Sequence, residues 1–315
     1  MYSPLLYQPV FILAPSLALA LLIGIKPPQT NWTKTNAAPT DLVQRPSMQQ
    51  NDASAQIEEG NRRATVGRWS EAVEAYQRAI ELDPSLATAH GNLGHAYTQL
   101  GQFQEAISSL LRAISLQPEN AVFRYNLGNA YLRFSRSAES IEPLTEAIKL
   151  KPDYFPAYND LGNAYAELGR YPEAMMTLQH AIRIQPRSAL AYYNLGVAYY
   201  DAARLKEAAE SLKRAIVLNP AYAQAYADLG LVYLRLRQYK SAVDALEHGV
   251  QLTPDDSRAQ YHLGAAYLAL KKKDSFWRQY AVVKTLESDL ATRLYNGFYQ
   301  DRLLILGRKE KSRLP

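Results

Sequence analysis

The chain has 315 residues, 48% of them apolar, with a net charge of +5 and no cysteine. That length can bury a large core, and the lack of cysteine excludes a disulfide framework, a lipoprotein acylation site and any thiolate metal centre. The charge excess is local: residues 271–315 hold 11 Lys/Arg against 5 Asp/Glu, so the rest of the chain is near neutral. No continuous basic stripe is left for a nucleic acid, and none is expected as partner.

From the N-terminus to Ile25 the chain carries no charged side chain. As a helix, Leu5 to Ile25 would span about 31 Å, enough for a hydrocarbon core of about 30 Å. Residues 1–26 read as a hydrophobic segment, either a membrane anchor or a cleaved signal peptide. No Lys or Arg precedes it, and the small-x-small sites fall inside it (Ala18-Leu19-Ala20) or well past it, near Ala37 and Ala38. Both features favour the anchor. Lys26, Lys34 and Arg45 lie on its C-terminal side, which places the remainder of the chain in the cytoplasm by the positive-inside rule; export to the periplasm is the alternative. Residues 27–52 are rich in Thr, Asn, Gln and Pro without periodicity, and are expected to be a disordered tether.

A fixed period then begins. Pro84, Pro118, Pro152, Pro186, Pro220 and Pro254 stand 34 residues apart, and the pairs from Leu93-Gly94 to Leu263-Gly264 keep the same step. Such a period means a stacked array in which each copy touches its neighbours. In the unit Ala87 to Asn120, His90, Leu93, Gly94 and Tyr97 mark one helix, and Gly101 marks a turn. Ala106, Leu110 and Ala113 mark a second helix, ended before Pro118. Small residues at Gly94, Ala106 and Ala113 let the two axes approach closely. Seven units start at Ala53, Ala87, Ala121, Phe155, Ala189, Ala223 and Ser257, giving an array over 53–290. Pro143 and Ser140 predict looser packing in the third unit. Phe276 and Ser288 replace the alanine and proline of the seventh, so its second helix is expected to run on as a cap. Leu286, Leu290 and Leu294 would lie against the stack, and residues 291–315 would hold the capping helix and a basic tail.

The order Leu-Gly-x-x-Tyr, Glu-Ala, Ala-Ile-x-Leu-x-Pro resembles the tetratricopeptide repeat. The resemblance implies an all-α fold, a right-handed α-solenoid of tandem helical hairpins whose first helices line a concave face. It also implies that the second, fifth, sixth, ninth, twelfth and thirteenth positions of each unit line that face. The candidate ligand-binding residues are therefore Asn92, Asn126, Asp160, Asn194 and Asp228 at the sixth position, with His262 in the seventh unit. Asn129 and Asn163 stand at the ninth, after Asn61 and His95, and Tyr125, Asn159, Tyr193 and Tyr261 at the fifth. Carboxamides both donate and accept, so a ladder of them can bond the main chain of an extended peptide. The other role open to them is bonding between helices. Family members that clamp a terminal carboxylate add cations that this chain lacks, having Val122 with Asn126 and Gln224 with Asp228 at those positions.

No phosphate-cradling glycine motif, nucleophile elbow or metal-ligand spacing occurs, so neither enzyme activity nor a cofactor or metal is expected. The expected function is a scaffold that binds an extended protein segment and helps assemble or localise a membrane-associated complex. The alternatives are an accessory subunit of a glycosyltransferase or other enzyme system, since similar arrays precede glycosyltransferase domains, and an exported periplasmic chaperone.

Overall fold

A computed structural model describes residues 41–299, with side chains from 52 to 298. The hydrophobic segment 1–26, the tether up to residue 40 and the tail from 300 lie outside the described residues. The chain divides after Arg45, and the array belongs to the unit that starts at Pro46. Seven helical hairpins succeed one another: α1 (Asp41–Thr65) with α2 (Trp69–Leu82), α3 (Ala87–Leu100) with α4 (Phe103–Leu116), and α5 (Ala121–Arg133) with α6 (Ser137–Leu150). Then come α7 (Phe155–Glu167) with α8 (Tyr171–Ile184), α9 (Ala189–Asp201) with α10 (Leu205–Leu218), and α11 (Ala223–Arg235) with α12 (Tyr239–Leu252). The last pair is α13 (Ser257–Ala269) with α14 (Lys273–Leu286), and α15 (Ser288–Tyr299) closes the array. α1 starts at Asp41, twelve residues before the expected unit boundary, so the last part of the supposed disordered tether is helical.

Each of the first six hairpins is built on one close approach. A Cβ on Gly94 would lie 2.5 Å from Leu110 Cγ and 3.0 Å from the Ala106 carbonyl, and Gly128, Gly162, Gly196 and Gly230 face Leu144, Leu178, Leu212 and Leu246 in the same way. Those leucines are fully buried, as are Ala106, Ala113 and their counterparts. Burial of each such leucine contributes on the order of 2–3 kcal/mol. In the first hairpin Tyr76 takes the leucine's place over Gly60 and donates to Asn61 Oδ1 at 2.8 Å.

Two devices set the repeat length. Between the helices of every hairpin one residue takes positive φ: Gly67, Gly101 and Gly169 at 75–76°, but also Ser135, Ala203, Arg237 and Lys271 at 57–60°. After each of the first six second helices the residue before proline is extended, with φ from −127° at Gln185 to −145° at Asp83, because the proline ring excludes the helical region there.

Adjacent first helices from α3 to α13 run close beside one another, whereas adjacent second helices do not. The row of first helices is therefore the tighter, inner layer of the stack.

Two expectations need correction. The third unit is as tightly packed as its neighbours: Pro143 lies inside α6, yet Leu144 is fully buried and the Gly128–Leu144 approach is again 2.5 Å. Ser140, in the alanine position, is buried and donates to the Ser137 carbonyl at 2.8 Å, which satisfies its hydroxyl. Nor does the last second helix run on. It stops at Glu287, extended at φ −154° without a proline after it, whose carboxylate accepts from Ser257 Oγ at 2.7 Å. α15 is a new helix that places Leu290 and Leu294 on α13 and α14, with Leu294 beside Gly264 where the repeat leucine is missing; Leu286 stays partly exposed.

Candidate functional site

The inner layer carries the predicted residues, and the structure shows what most of their side chains do. The sixth-position residue of a unit bonds back to the unit before it. Asn92 Nδ2 donates to Asn61 Oδ1 at 3.0 Å, and Asn129 Nδ2 donates to Asp160 Oδ2 at 3.0 Å. Asn194 Nδ2 donates to Asn159 Oδ1 at 2.9 Å, and Tyr193 Oη donates to Asp228 Oδ2 at 2.9 Å. The partners are 31 or 35 residues apart, so the donor or acceptor in the earlier unit is its ninth or fifth residue. Much of the amide ladder is thus an inter-repeat tie.

Asp160 is the most heavily engaged. Asn129, Asn159 and Tyr125 all bond its carboxylate, yet desolvation outweighs these bonds and raises its pKa above the ordinary aspartate value. The same burial, with the Asp160 charge beside it, pushes the Tyr125 phenol well up. Both groups favour the neutral form there.

Four predicted residues are largely buried. Asn159 and His262 are 4% exposed, Tyr193 is 9% exposed and Tyr261 is 1% exposed, so that Tyr193 and His262 contribute little of their surface where they border the cleft of units four to seven. Tyr261 packs with Phe276, Leu290 and Leu294 because α15 covers it, which spacing within the repeat could not reveal. In contrast, Asn126 and Asn163 are half-buried on the inner layer and make no side-chain hydrogen bond among the described residues. Their amides remain available to a ligand.

Units four to seven enclose a cleft of about 720 Å³. Asn163, Asn194, Tyr193, Asp228 and His262 line it, as expected from their positions. Residues that were not picked out from the sequence line it as well. Val197 and Leu231 replace the polar ninth-position residues of earlier units, and Ala227 lies between them. Glu167 and Asp201 stand at the thirteenth position, Asp255 and Asp256 in the turn before α13, and Arg258 just after it. The thirteenth is a lining position of the repeat, so reading out its residues would have found the first two. Asp256 also caps α13, accepting from the Arg258 and Ala259 amides at 3.0 Å.

Three histidines pack on aromatic rings. His180 stacks on Tyr158 at 4.2 Å and His248 meets Tyr226 at 5.5 Å, the same pairing two units apart. His95 meets Trp69 edge-on at 5.7 Å, and burial lowers its pKa. No group of three or more His, Cys, Asp or Glu side chains able to hold a metal occurs among the described residues. No helix among them is long and apolar enough to cross a membrane.

Family models described as TPR repeat or tetratricopeptide repeat match residues 60–133 and 162–236, 121–154, 144–176 and 227–280, and so cover 60–280 without a gap. No curated protein matches the sequence. Among solved structures, that reported in "Functional Characterization of Pseudomonas Aeruginosa pilF" aligns with a TM-score of 0.60 at 19% identity, over 70% of this chain and 98% of that one. The Cut9–Hcn1 hetero-tetramer of the APC/C aligns with a TM-score of 0.59 at 17% identity, over 81% of this chain and 56% of that one. YrrB, titled a TPR protein with an unusual peptide-binding site, is 26% identical over 60% of this chain and 97% of its own, with a TM-score of 0.48.

Proposed function

The chain belongs to the tetratricopeptide repeat family, and from that premise we propose that it is a non-catalytic scaffold whose inner layer of helices binds an extended segment of another protein. The observation that carries this reading is the pair of uncommitted amides, Asn126 and Asn163, on a layer whose other polar groups are largely tied to one another. Each can donate to a carbonyl and accept from an N–H of a main chain laid across it, whatever the sequence. The rest of the ladder is already bonded, so it presents a fixed surface and little is lost in ordering it on binding. The uncharged run up to Ile25 supports a membrane anchor, with the array on the cytoplasmic side and the bound segment drawn into a membrane-associated complex.

The test is a crosslinking pull-down from membranes with the wild type and with Asn126→Ala and Asn163→Ala combined. These two changes break no side-chain bond among the described residues, so the melting curve should be unchanged while recovered partners fall. Unchanged partner recovery with the fold intact refutes the groove. Mass measurement of the mature N-terminus tests the anchor, which fails if residues 1 to about 38 have been removed.

A further inference from the structure

We infer that the cleft of units four to seven takes a partner segment in which apolar residues alternate with Lys or Arg. This rests on the reading of the inner layer as a peptide groove and narrows the partner to one chemistry.

Two changes along the array coincide at this cleft. The ninth position is polar in the first four units, at Asn61, His95, Asn129 and Asn163, and then becomes Val197 and Leu231. The thirteenth is Gln99 and Arg133 in the second and third units, and then Glu167 and Asp201. The two changes meet in the fifth unit, where Val197 and Asp201 both line the cleft; the thirteenth residue of the sixth unit, Arg235, does not line it. Five carboxylates line the cleft against one guanidinium, that of Arg258.

The surrounding charge sharpens the point. Outside residues 271–315 the chain is near neutral, so a basic segment is attracted only where the local charge is negative. Concave low-dielectric walls concentrate such a local potential. An extended strand sends alternate side chains to opposite sides, so one register places apolar residues on Val197 and Ala227, which are only partly buried, and basic residues against the rim. Asn163 at the cleft's edge supplies a main-chain partner. An acidic segment would meet the rim with like charge, and a fully apolar one would desolvate the carboxylates while offering them no charge of its own.

The experiment titrates the full chain, held in a neutral detergent, with three labelled twelve-residue peptides and reads fluorescence anisotropy. One alternates Leu with Lys, the second replaces each Lys by Ser, and the third replaces each Lys by Glu. The Lys peptide should bind at least about tenfold more tightly than the Ser peptide, lose affinity as salt rises, and outcompete the Glu peptide entirely. Combining Asp201→Asn with Asp255→Asn should weaken the Lys peptide about tenfold, roughly threefold for each carboxylate removed. Glu105→Gln, outside the cleft, should change nothing.

Equal binding of the Ser and Lys peptides, or indifference to the double variant, overturns the basic preference and leaves the groove standing. If none of the peptides binds, the inference fails; the groove fails with it only if the pull-down is also unchanged by Asn126→Ala with Asn163→Ala. A chain ending at Tyr299 that binds the Lys peptide far more tightly than the full chain would identify the occupant as the chain's own basic segment 300–315, which also overturns an external partner.

Discussion

Replacing Ala203 by glycine should stabilise the protein. Ala203 sits at φ 60° in the turn between α9 and α10, at the position that glycine holds in units one, two and four. A Cβ in the left-handed region costs roughly 1–2 kcal/mol, and glycine's extra freedom in the unfolded chain returns about 0.5–1 kcal/mol of that. The net gain is on the order of 0.5–1 kcal/mol. Packing does not confuse the result: Ala203 is exposed, and at Gly67, Gly101 and Gly169 an added Cβ would meet nothing within 4 Å. Ser135→Gly should give the same gain, and since the two turns are distant, the double variant should gain about 1–2 kcal/mol. The reverse changes, Gly101→Ala and Gly169→Ala, should lose comparable amounts. Urea unfolding followed by circular dichroism reads the effect as a shift in midpoint at constant slope. A lowered midpoint for Ala203→Gly, or a raised one for Gly101→Ala, would refute the strain argument.

Gly230→Ala should destabilise by about 1–3 kcal/mol, since its new Cβ would stand 2.3 Å from Leu246 Cγ in a filled core; the midpoint of unfolding reads it. Leu294→Ala should cost about 2–5 kcal/mol locally and expose Tyr261 and Phe276, seen as faster amide exchange in α13 and α14 than in α3 and α4. Asp160→Asn tests the buried carboxylate through pH. The folded pKa of Asp160 is raised, so its contribution to stability is fully present below the ordinary aspartate pKa near 3.8 and is lost as pH rises through the raised value. The stability of Asp160→Asn relative to wild type should therefore improve as pH rises above about 3.8 and level off above the raised value, and a flat difference would show that Asp160 is not desolvated.

The frame of the fold was legible because proline and glycine act through local sterics. Pro84 to Pro254 force the extended residue before them, and the Leu-Gly pairs place the close approach in nearly every hairpin. What escaped the sequence depended on neighbours in space. Glu287 ends α14 without a proline, its carboxylate held by Ser257 at the start of α13. Pro143 leaves α6 in place because Leu144 and Ala147 still pack fully around it. In the site, the pairing was not visible: whether Asn194 faces a ligand or Asn159 depends on the rotation between units, which no single repeat encodes. Tyr261 was misassigned for the same reason, because its cover comes from α15, outside the period. The acidic rim was within reach, since Glu167 and Asp201 occupy a lining position, but Asp255 and Asp256 join it only through the path of the turn before α13.

The ties between units are unevenly distributed, and this has a mechanical consequence. From Asn129 to Asp228 every junction is stitched along the inner layer by a side-chain hydrogen bond that is at least partly buried, so twisting one of units three to six against the next has to break one. The joint between the second and third units is made differently. Asn126 forms no such stitch there, and the bonds that long side chains make across it, from Arg133 Nη1 to Gln99 Oε1 and from Arg124 Nε to the Pro118 carbonyl, both at 3.0 Å, are exposed and compete with water. The Phe123 ring seated over Gly91, and Phe103 stacked on Phe134 at 5.2 Å, close the rest of it. Stacked rings slide where buried hydrogen bonds would have to break. Turning the third unit against the second therefore breaks no buried inner-layer hydrogen bond, whereas turning any of units three to six against its neighbour in that stretch breaks one.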